Sequence, residues 1–308
     1  MYICKYNFDI NIQPFFRNFI RRMSLFRQIS RVYRSKPCMR SMSVNSSSLT
    51  DLAVDEDGIA VLTLQRPPVN SLNVELLQAI ISAFDDAAAK GCKGMILTSS
   101  LPTVFSAGLD INELYKPEMK RLTLFWKTFH DMALKFLTSD FPTATAINGH
   151  TPAGGYAVAM LSEYRVTTKG QFTIGFNDTA LGIVPSAWIT DLMLHTLSPR
   201  RGELALMAST MFSPSDALKE GLVDDIAEDK AGAIEKCKGF INQFNNIPKW
   251  THSPCLQKIR RIPLESLYKY LNENPNEVLD QVTKKETQNA LGEYVEKLKR
   301  RKLERTKK

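Results

Sequence analysis

Read for hydrophobic spacing, the chain alternates short apolar runs with longer stretches of helical period. Gly58-Ile-Ala-Val-Leu-Thr-Leu64 is a strand-like run with Ile59, Val61 and Thr63 on one face. Arg66-Pro67-Pro68 ends it, because proline offers no N–H to a ladder. Leu76, Leu77, Ile80, Ile81 and Phe84 then form an apolar stripe, which predicts a helix from Val74 to about Ala89 with Asn73 as its cap and Lys90-Gly91 closing it. Gly94–Thr98 reads as a short buried strand, and Val104–Leu114 as a strand end, a small-residue turn and a helix start. Residues 119–138 read as a helix with Leu122, Phe125, Trp126, Phe129 and Ala133 inward, broken at Phe141-Pro142. Thr143–Ile147 is β-branched and apolar, and the residues from Tyr156 to Leu161 suit a buried helix. Arg165-Val-Thr and Phe172–Gly175 are further short strands. The remainder reads as helical: Pro199–Met211, then Ser213-Pro214 through Gly221 with a cap, an early proline and a closing glycine, then Gly232–Asn245, and an amphipathic Glu286–Lys302. Strands alternating with helices predict an α/β fold with a parallel or mixed sheet.

Two turns in this pattern carry candidate chemistry. Ala146-Ile-Asn-Gly149-His-Thr-Pro-Ala-Gly154-Gly155-Tyr-Ala157 runs from a strand through glycines into a helix. Ser106-Ala107-Gly108-Leu109-Asp110 does the same. The first N–H groups of a helix lack intrahelical partners and lie at its positive end. Such a turn can hold an anion or an oxygen that becomes negative during a reaction. The spacing matches neither a P-loop nor a G-x-G-x-x-G turn, which argues against nucleotide phosphates. Glycine pairs also serve simply to pack a helix close to a strand, and Asp110 also suits a helix cap. Two equivalent loops, however, can aim two N–H groups at one acceptor. Downstream, Asn177-Asp178 sits between apolar runs. It is either a turn or a carboxylate in a partly dry pocket, where burial would raise its pKa and make it a better base.

Composition narrows the class. With 308 residues and 44% hydrophobic content the chain can bury a full core. The net charge of +8 is local: residues 1–50 hold nine Lys/Arg against one acid, Asp9, and so account for all of it. The body is balanced, which speaks against a nucleic-acid partner, and the basic run at Val295–Lys308 reads as a solvated helix end. Residues 1–45 are Arg- and Ser-rich and nearly free of acids, the composition of a mitochondrial transit peptide, with Met23 an alternative start. No apolar run reaches the ~18 residues of a membrane span, so no stable insertion is expected. Cys92, Cys237 and Cys255 lack metal-ligand spacing and read as free thiols, and His130, His150, His195 and His252 as structural or surface residues.

Taken together, Phe105-Ser-Ala-Gly-Leu-Asp110, Ala146-Ile-Asn-Gly149 with Ala153-Gly-Gly155, Glu163-Tyr-Arg165 and Ala217-Leu-Lys-Glu-Gly-Leu-Val-Asp224 resemble the crotonase (enoyl-CoA hydratase/isomerase) superfamily, in its order and spacing, across roughly residues 52–240. Arg66-Pro-Pro-Val-Asn-Ser-Leu72, Ser106-Ala-Gly-Leu-Asp110 and Gly175-Phe-Asn-Asp-Thr-Ala-Leu-Gly-Ile183 favour its isomerase branch. The resemblance implies a ClpP-like spiral of ββα units over residues 50–240 and a C-terminal helical region, 241–308, that builds a homotrimer. It implies an acyl-CoA substrate, no separate cofactor and no metal. The thioester oxygen would lie between the N–H groups of Leu109 and Gly154, with Ala107, Gly108, Asp110, Ile111 and Asn177 also lining the substrate. One acid, Asp178, would move a proton to turn a 3-cis- or 3-trans-enoyl-CoA into the 2-trans isomer, a step of unsaturated fatty-acid β-oxidation in the mitochondrial matrix. The first acid of the hydratases falls at Ala157, so hydration is disfavoured. The isomerase pattern carries Glu where this chain has Asp178, which keeps another acyl-CoA chemistry, or an acyl-CoA-binding protein of weak activity, as alternatives.

Overall fold

The structure, a computed structural model, describes residues 49–273 and 276–306. The expected transit peptide, 1–45, lies outside the described residues.

The chain opens with β1 (Thr50–Val54) and β2 (Ile59–Leu64), then α1 (Val74–Ala89), β3 (Gly94–Ser99), a one-turn α2 (Ile111–Leu114), α3 (Met119–Leu137) and β4 (Thr143–Ile147). A short β5 (Thr151–Pro152) leads into α4 (Gly154–Leu161), β6 (Tyr164–Thr168) and β7 (Ile174–Gly175). After a 3₁₀ turn at Thr179–Leu181 come α5 (Ala187–Thr196), α6 (Pro199–Met207), β8 (Met211–Phe212), α7 (Pro214–Glu220), β9 (Asp225–Ala227) and α8 (Lys230–Asn242). The last elements are α9 (Lys249–Ile259), α10 (Arg261–Glu273), α11 (Glu277–Thr283) and α12 (Lys285–Thr306).

Six strands form one sheet in the order β1-β2-β3-β4-β6-β9, and β5-β7-β8 form a small second sheet. In the large sheet only the edge strand β1 is antiparallel, and the rest pair in parallel. Parallel strands need crossovers and are covered on both faces. One face of β2 and β3 (Ala60, Leu62, Leu64, Met95, Leu97) packs with α1 and α3 in the main cluster. The other (Ile59, Ile96), with Ala144 and Ala146 of β4, meets Ala233, Cys237 and Ile241 of α8. Ile59 and Val61 share the face toward α8, as the spacing predicts, but the opposite face of β2 is buried as well. Both faces of β2 are covered, so period-2 alternation does not mark the core side.

Helix α1 runs as its stripe predicts. The Asn73 side chain accepts from Leu76 N, and Leu76, Leu77, Ile80 and Phe84 are buried. Each such side chain, fully buried, is worth about 1.5–3 kcal/mol. Helix α8 approaches β3 closely enough that a Cβ on Gly94 would stand 2.6 Å from Ile241 Cγ2, so Gly94→Ala would push sheet and helix apart.

Two boundaries and one helix differ from the sequence reading. Helix α6 stops at Met207 rather than Met211: Ser209 adopts φ +52°, and Met211-Phe212 leave to pair with β7. Helix α8 starts at Lys230, because the Asp229 side chain caps Gly232 N at 2.8 Å. Helix α5, with Trp188, Ile189, Leu192 and Met193 buried, was not singled out by the spacing. Cys92, Cys237 and Cys255 are free thiols. Among the described residues no helix is long and apolar enough to cross a membrane.

Candidate active site

The two glycine turns are zipped together. His150 N donates to Thr103 O at 2.8 Å, and Phe105 N donates to His150 O at 3.0 Å. The Asn148 side-chain amide ties the same segment to Leu101 O at 2.7 Å. This contact leaves no room for side chains. A Cβ on Gly149 would lie 2.1 Å from the Thr103 carbonyl carbon, and one on Gly155 would lie 2.4 Å from Ser106 O. The packing role and the donor role of these glycines therefore coexist: close approach of the loops is what brings their amides together.

Leu109 N–H is exposed by the logic of a parallel bridge. Leu72 donates to Gly108 O at 2.8 Å, and Leu72 O accepts from Asp110 N at 2.9 Å. The residue between those partners, Leu109, must turn its own N–H and C=O away from Leu72. Gly154 N–H is free for a different reason. It belongs to the first residue of α4, where no acceptor lies one turn back. Its peptide plane is set by Ala153, at φ 50° and ψ −124°, a strained left-handed position for a residue with a side chain. Ala153 is held there by donating to Gly175 O at 2.8 Å and accepting from Ala157 N at 3.0 Å. Among the described residues neither Leu109 N–H nor Gly154 N–H has an acceptor. The two are neighbours: a Cβ built on Gly154 would stand 3.0 Å from Leu109 N, and one on Gly108 would stand 3.1 Å from Gly154 N.

Both residues line a cleft whose wall also includes Asp178, the aromatic rings of Trp126, Phe129 and Phe176, and the aliphatic side chains of Ile183, Ile189 and Val278. Asp178 precedes the 3₁₀ turn, its carbonyl accepting from Leu181 N and Ile183 N. So it does sit in a turn, yet its carboxylate faces a nearly dry site. The residue is 8% exposed, and its Oδ2 is buried with no hydrogen-bond partner. Burial is the main cause that lifts its pKa to about 6; a hydrogen bond from its own backbone pulls the other way but loses. A carboxylate of that basicity, in an apolar cleft with two free amide donors, can abstract a proton next to a carbonyl while the amides stabilise the resulting oxyanion.

The other expected substrate residues lie beside the cleft wall. Ala107 and Gly108 build the loop, and Asn177 precedes Asp178 with its Oδ1 buried and unpartnered. Ile111 opens α2 and packs at the margin of the main core. Asp110 caps α2 through Asn112 N at 3.1 Å and pairs with Arg66 at 2.8 Å, so its carboxylate is already engaged. Ala157 is fully buried in the core, and Asp178 is the one carboxylate of the cleft wall among the described residues. His130 stacks on Trp126 and meets Tyr270 at a tilt, and burial alone lowers its pKa to about 3. His252 pairs with Glu163 at 3.0 Å. No group of three or more His, Cys, Asp or Glu among the described residues could hold a metal ion. Sequence reasoning found Trp126 and Phe129 only as core residues, and gave no sign of Ser186, Ile189 or Val278.

Residues 55–302 match the family model described as enoyl-CoA hydratase/isomerase. The chain is 35% identical over 248 residues to the mouse protein named enoyl-CoA delta isomerase 1, mitochondrial, covering 80% of this chain and 85% of that protein. It is 31% identical to its human counterpart, covering 80% and 82%. The crystal structure of human mitochondrial delta3-delta2-enoyl-CoA isomerase superposes with a TM-score of 0.77 at 30% identity, over 82% of this chain and 99% of that one. The chain belongs to the enoyl-CoA hydratase/isomerase family.

Proposed function

We propose that this chain is an enoyl-CoA isomerase that converts 3-enoyl-CoA thioesters into 2-trans-enoyl-CoA. The observation that carries this reading is one unpartnered, basic carboxylate sharing an apolar cleft with two unpartnered amide donors. The thioester oxygen accepts from Leu109 N–H and Gly154 N–H. Ionised Asp178 takes a proton from C2, and the electron pair moves through C1 to the oxygen, giving a dienolate held by the two donors. Return of a proton to C4 re-forms the carbonyl and places the double bond between C2 and C3. No water is consumed, which fits a cleft with a single acid. Hydration needs a second group to hold and orient water, and the candidate position, Ala157, is apolar and buried. Ala107, Gly108, Asp110, Ile111 and Asn177 form the surround that would hold the thioester end. The names of the mitochondrial relatives support the mitochondrion as the site of action, and the matrix and a homotrimer are part of the same proposal.

The test is turnover of cis- and trans-3-enoyl-CoA by wild type, Asp178→Ala and Asp178→Glu. Loss of the base should cost about 10²–10⁴-fold in kcat. Asp178→Glu should preserve or raise turnover. Wild-type activity no higher than that of Asp178→Ala would end the isomerase reading and favour an acyl-CoA-binding role.

A further inference from the structure

Asp178 is not the only polar side chain on the cleft wall. Ser186 stands on it too, between Pro185 and the first turn of α5. It occupies the N-cap position, where a serine hydroxyl ordinarily accepts from the second or third amide of the helix. Here it makes no capping bond. Only its backbone carbonyl is used, accepting from Ile189 N at 3.0 Å and Thr190 N at 3.1 Å. Its Oγ is buried and has no partner, as is true of Asp178 Oδ2 and of the Trp126 indole Nε1 in the same cleft lining. A buried hydroxyl without a partner costs about 1–3 kcal/mol, and the obvious local partner has been declined. A hydroxyl both donates and accepts, which a carboxylate alone cannot do.

The reaction gives such a group a task. C2 and C4 are 1,3-related carbons, roughly 2.5 Å apart. Asp178 carries its carboxyl on a single methylene from a backbone pinned by Leu181 N and Ile183 N, so its reach along the substrate is short. We infer that Ser186 is the second proton carrier of the isomerisation, relaying the proton of Asp178 to C4. This rests on the isomerase reading above. In balance, Asp178 carboxylate removes the C2 proton and becomes the acid, while the electron pair resides on the thioester oxygen. The acid gives its proton to Ser186 Oγ, directly or through one bridging water, as the Ser186 O–H proton bonds to C4. The dienolate electrons close the C2–C3 double bond and the carbonyl. Asp178 ends as carboxylate and Ser186 as hydroxyl, and nothing else is consumed.

The test combines kinetics with labelling, using 3-trans-hexenoyl-CoA deuterated at both C2 positions, in ordinary water. A relay predicts that C4 of the product receives mostly hydrogen, because the serine proton comes from solvent between turnovers. Ser186→Ala should lower kcat by about 10- to 100-fold with little change in KM, and its residual product should carry more deuterium at C4. Since no cap bond is lost and an unpartnered hydroxyl is removed, its thermal unfolding midpoint should be no lower than that of wild type. Ser186→Thr, which keeps the hydroxyl, should restore turnover. In an Asp178→Glu background, whose longer stem spans both carbons, Ser186→Ala should cost little. The relay is overturned if Ser186→Ala matches wild type in kcat and in C4 labelling, or if its loss is as large in the Asp178→Glu background with labelling unmoved. Wild type turning over no faster than Asp178→Ala would instead remove the isomerase reading, and the relay with it.

Discussion

The two ends of helix α4 are opposites. At its carboxyl end the last carbonyls are taken up by arginines. Leu161 O accepts from Arg260, and Ser162 O accepts from Arg165 at 3.0 Å and from Arg260 at 2.9 Å. Both arginines are buried, and Arg165 also reaches Leu222 O and Asp224. Burial and the neighbouring Arg165 charge lower the Arg260 pKa to about 10, which still leaves it cationic at neutral pH. Two cations on the negative end of a helix are where the dipole favours them. At the amino end, by contrast, Gly154 N–H has no acceptor and Ala153 is strained to hold it. One end of the same helix has its carbonyls satisfied by buried cations; the other keeps a free amide donor. In the proposed reaction the contrast separates residues that hold the site from residues that act in it.

Of changes at the two ends of α4, Gly154→Ala should show the largest effect on turnover. Its Cβ would stand 2.7 Å from Leu109 Cδ2 and 3.0 Å from Leu109 N, wedging the two donors apart. Losing an oxyanion donor typically costs about 10²–10³-fold, so kcat should fall by that much while the unfolding midpoint moves little. Arg260→Leu should do the reverse. It strips partners from buried carbonyls, so stability should drop by about 2–3 kcal/mol in urea unfolding, with kcat per folded molecule nearly unchanged. A large catalytic loss in folded Arg260→Leu would break the comparison.

Asp178 sharpens the same point. Its folded-state pKa lies above the ordinary value of 3.8, so the folded chain binds the extra proton between those values. Stability contributed by that proton is present below about pH 4 and is lost as pH rises through about 6. At neutral pH the ionised group is a burden, and Asp178→Asn should stabilise the chain by about 1–3 kcal/mol while abolishing turnover. In the proposed reaction Asp178 is the base and must be ionised. Thus kcat/KM should climb about tenfold per pH unit below about 6 and level off above it. A profile with its acid limb near pH 4 would place the carboxylate in water rather than in the cleft.

Much of the fold could be read from the chain because its signals are local. Asn73 announced α1, the apolar stripe over 119–138 marked α3, and Ser213-Pro214 with Gly221 bracketed α7, where Gly221 adopts φ +87°. Strand faces were less legible, since a sheet covered on both sides has no polar face to mark. The active-site loops were visible as glycine turns, but their meeting was not. It depends on Leu72 bridging Leu109 and on Thr103 and His150 joining across a long stretch of sequence. Asp178 read from the sequence as a turn residue or a carboxylate in a partly dry pocket, and it is both: it stands at a turn, and burial on a wall shared with Trp126, Phe129 and Phe176 raises its pKa. Ser186 and Val278 had no sequence signal, because an uncapped N-cap serine and a distant helix valine look ordinary until folding sets them on one wall.

The central claim is that Leu109 N–H and Gly154 N–H share one thioester oxygen. Isotope-edited infrared spectroscopy of 2-trans-hexenoyl-CoA labelled with carbon-13 at C1 reads that oxygen directly. The account predicts that the carbonyl band moves to lower frequency on binding wild type and recovers part of the way in Gly154→Ala. A bound thioester whose band stays at its solution frequency, or is unaffected by Gly154→Ala, would contradict it.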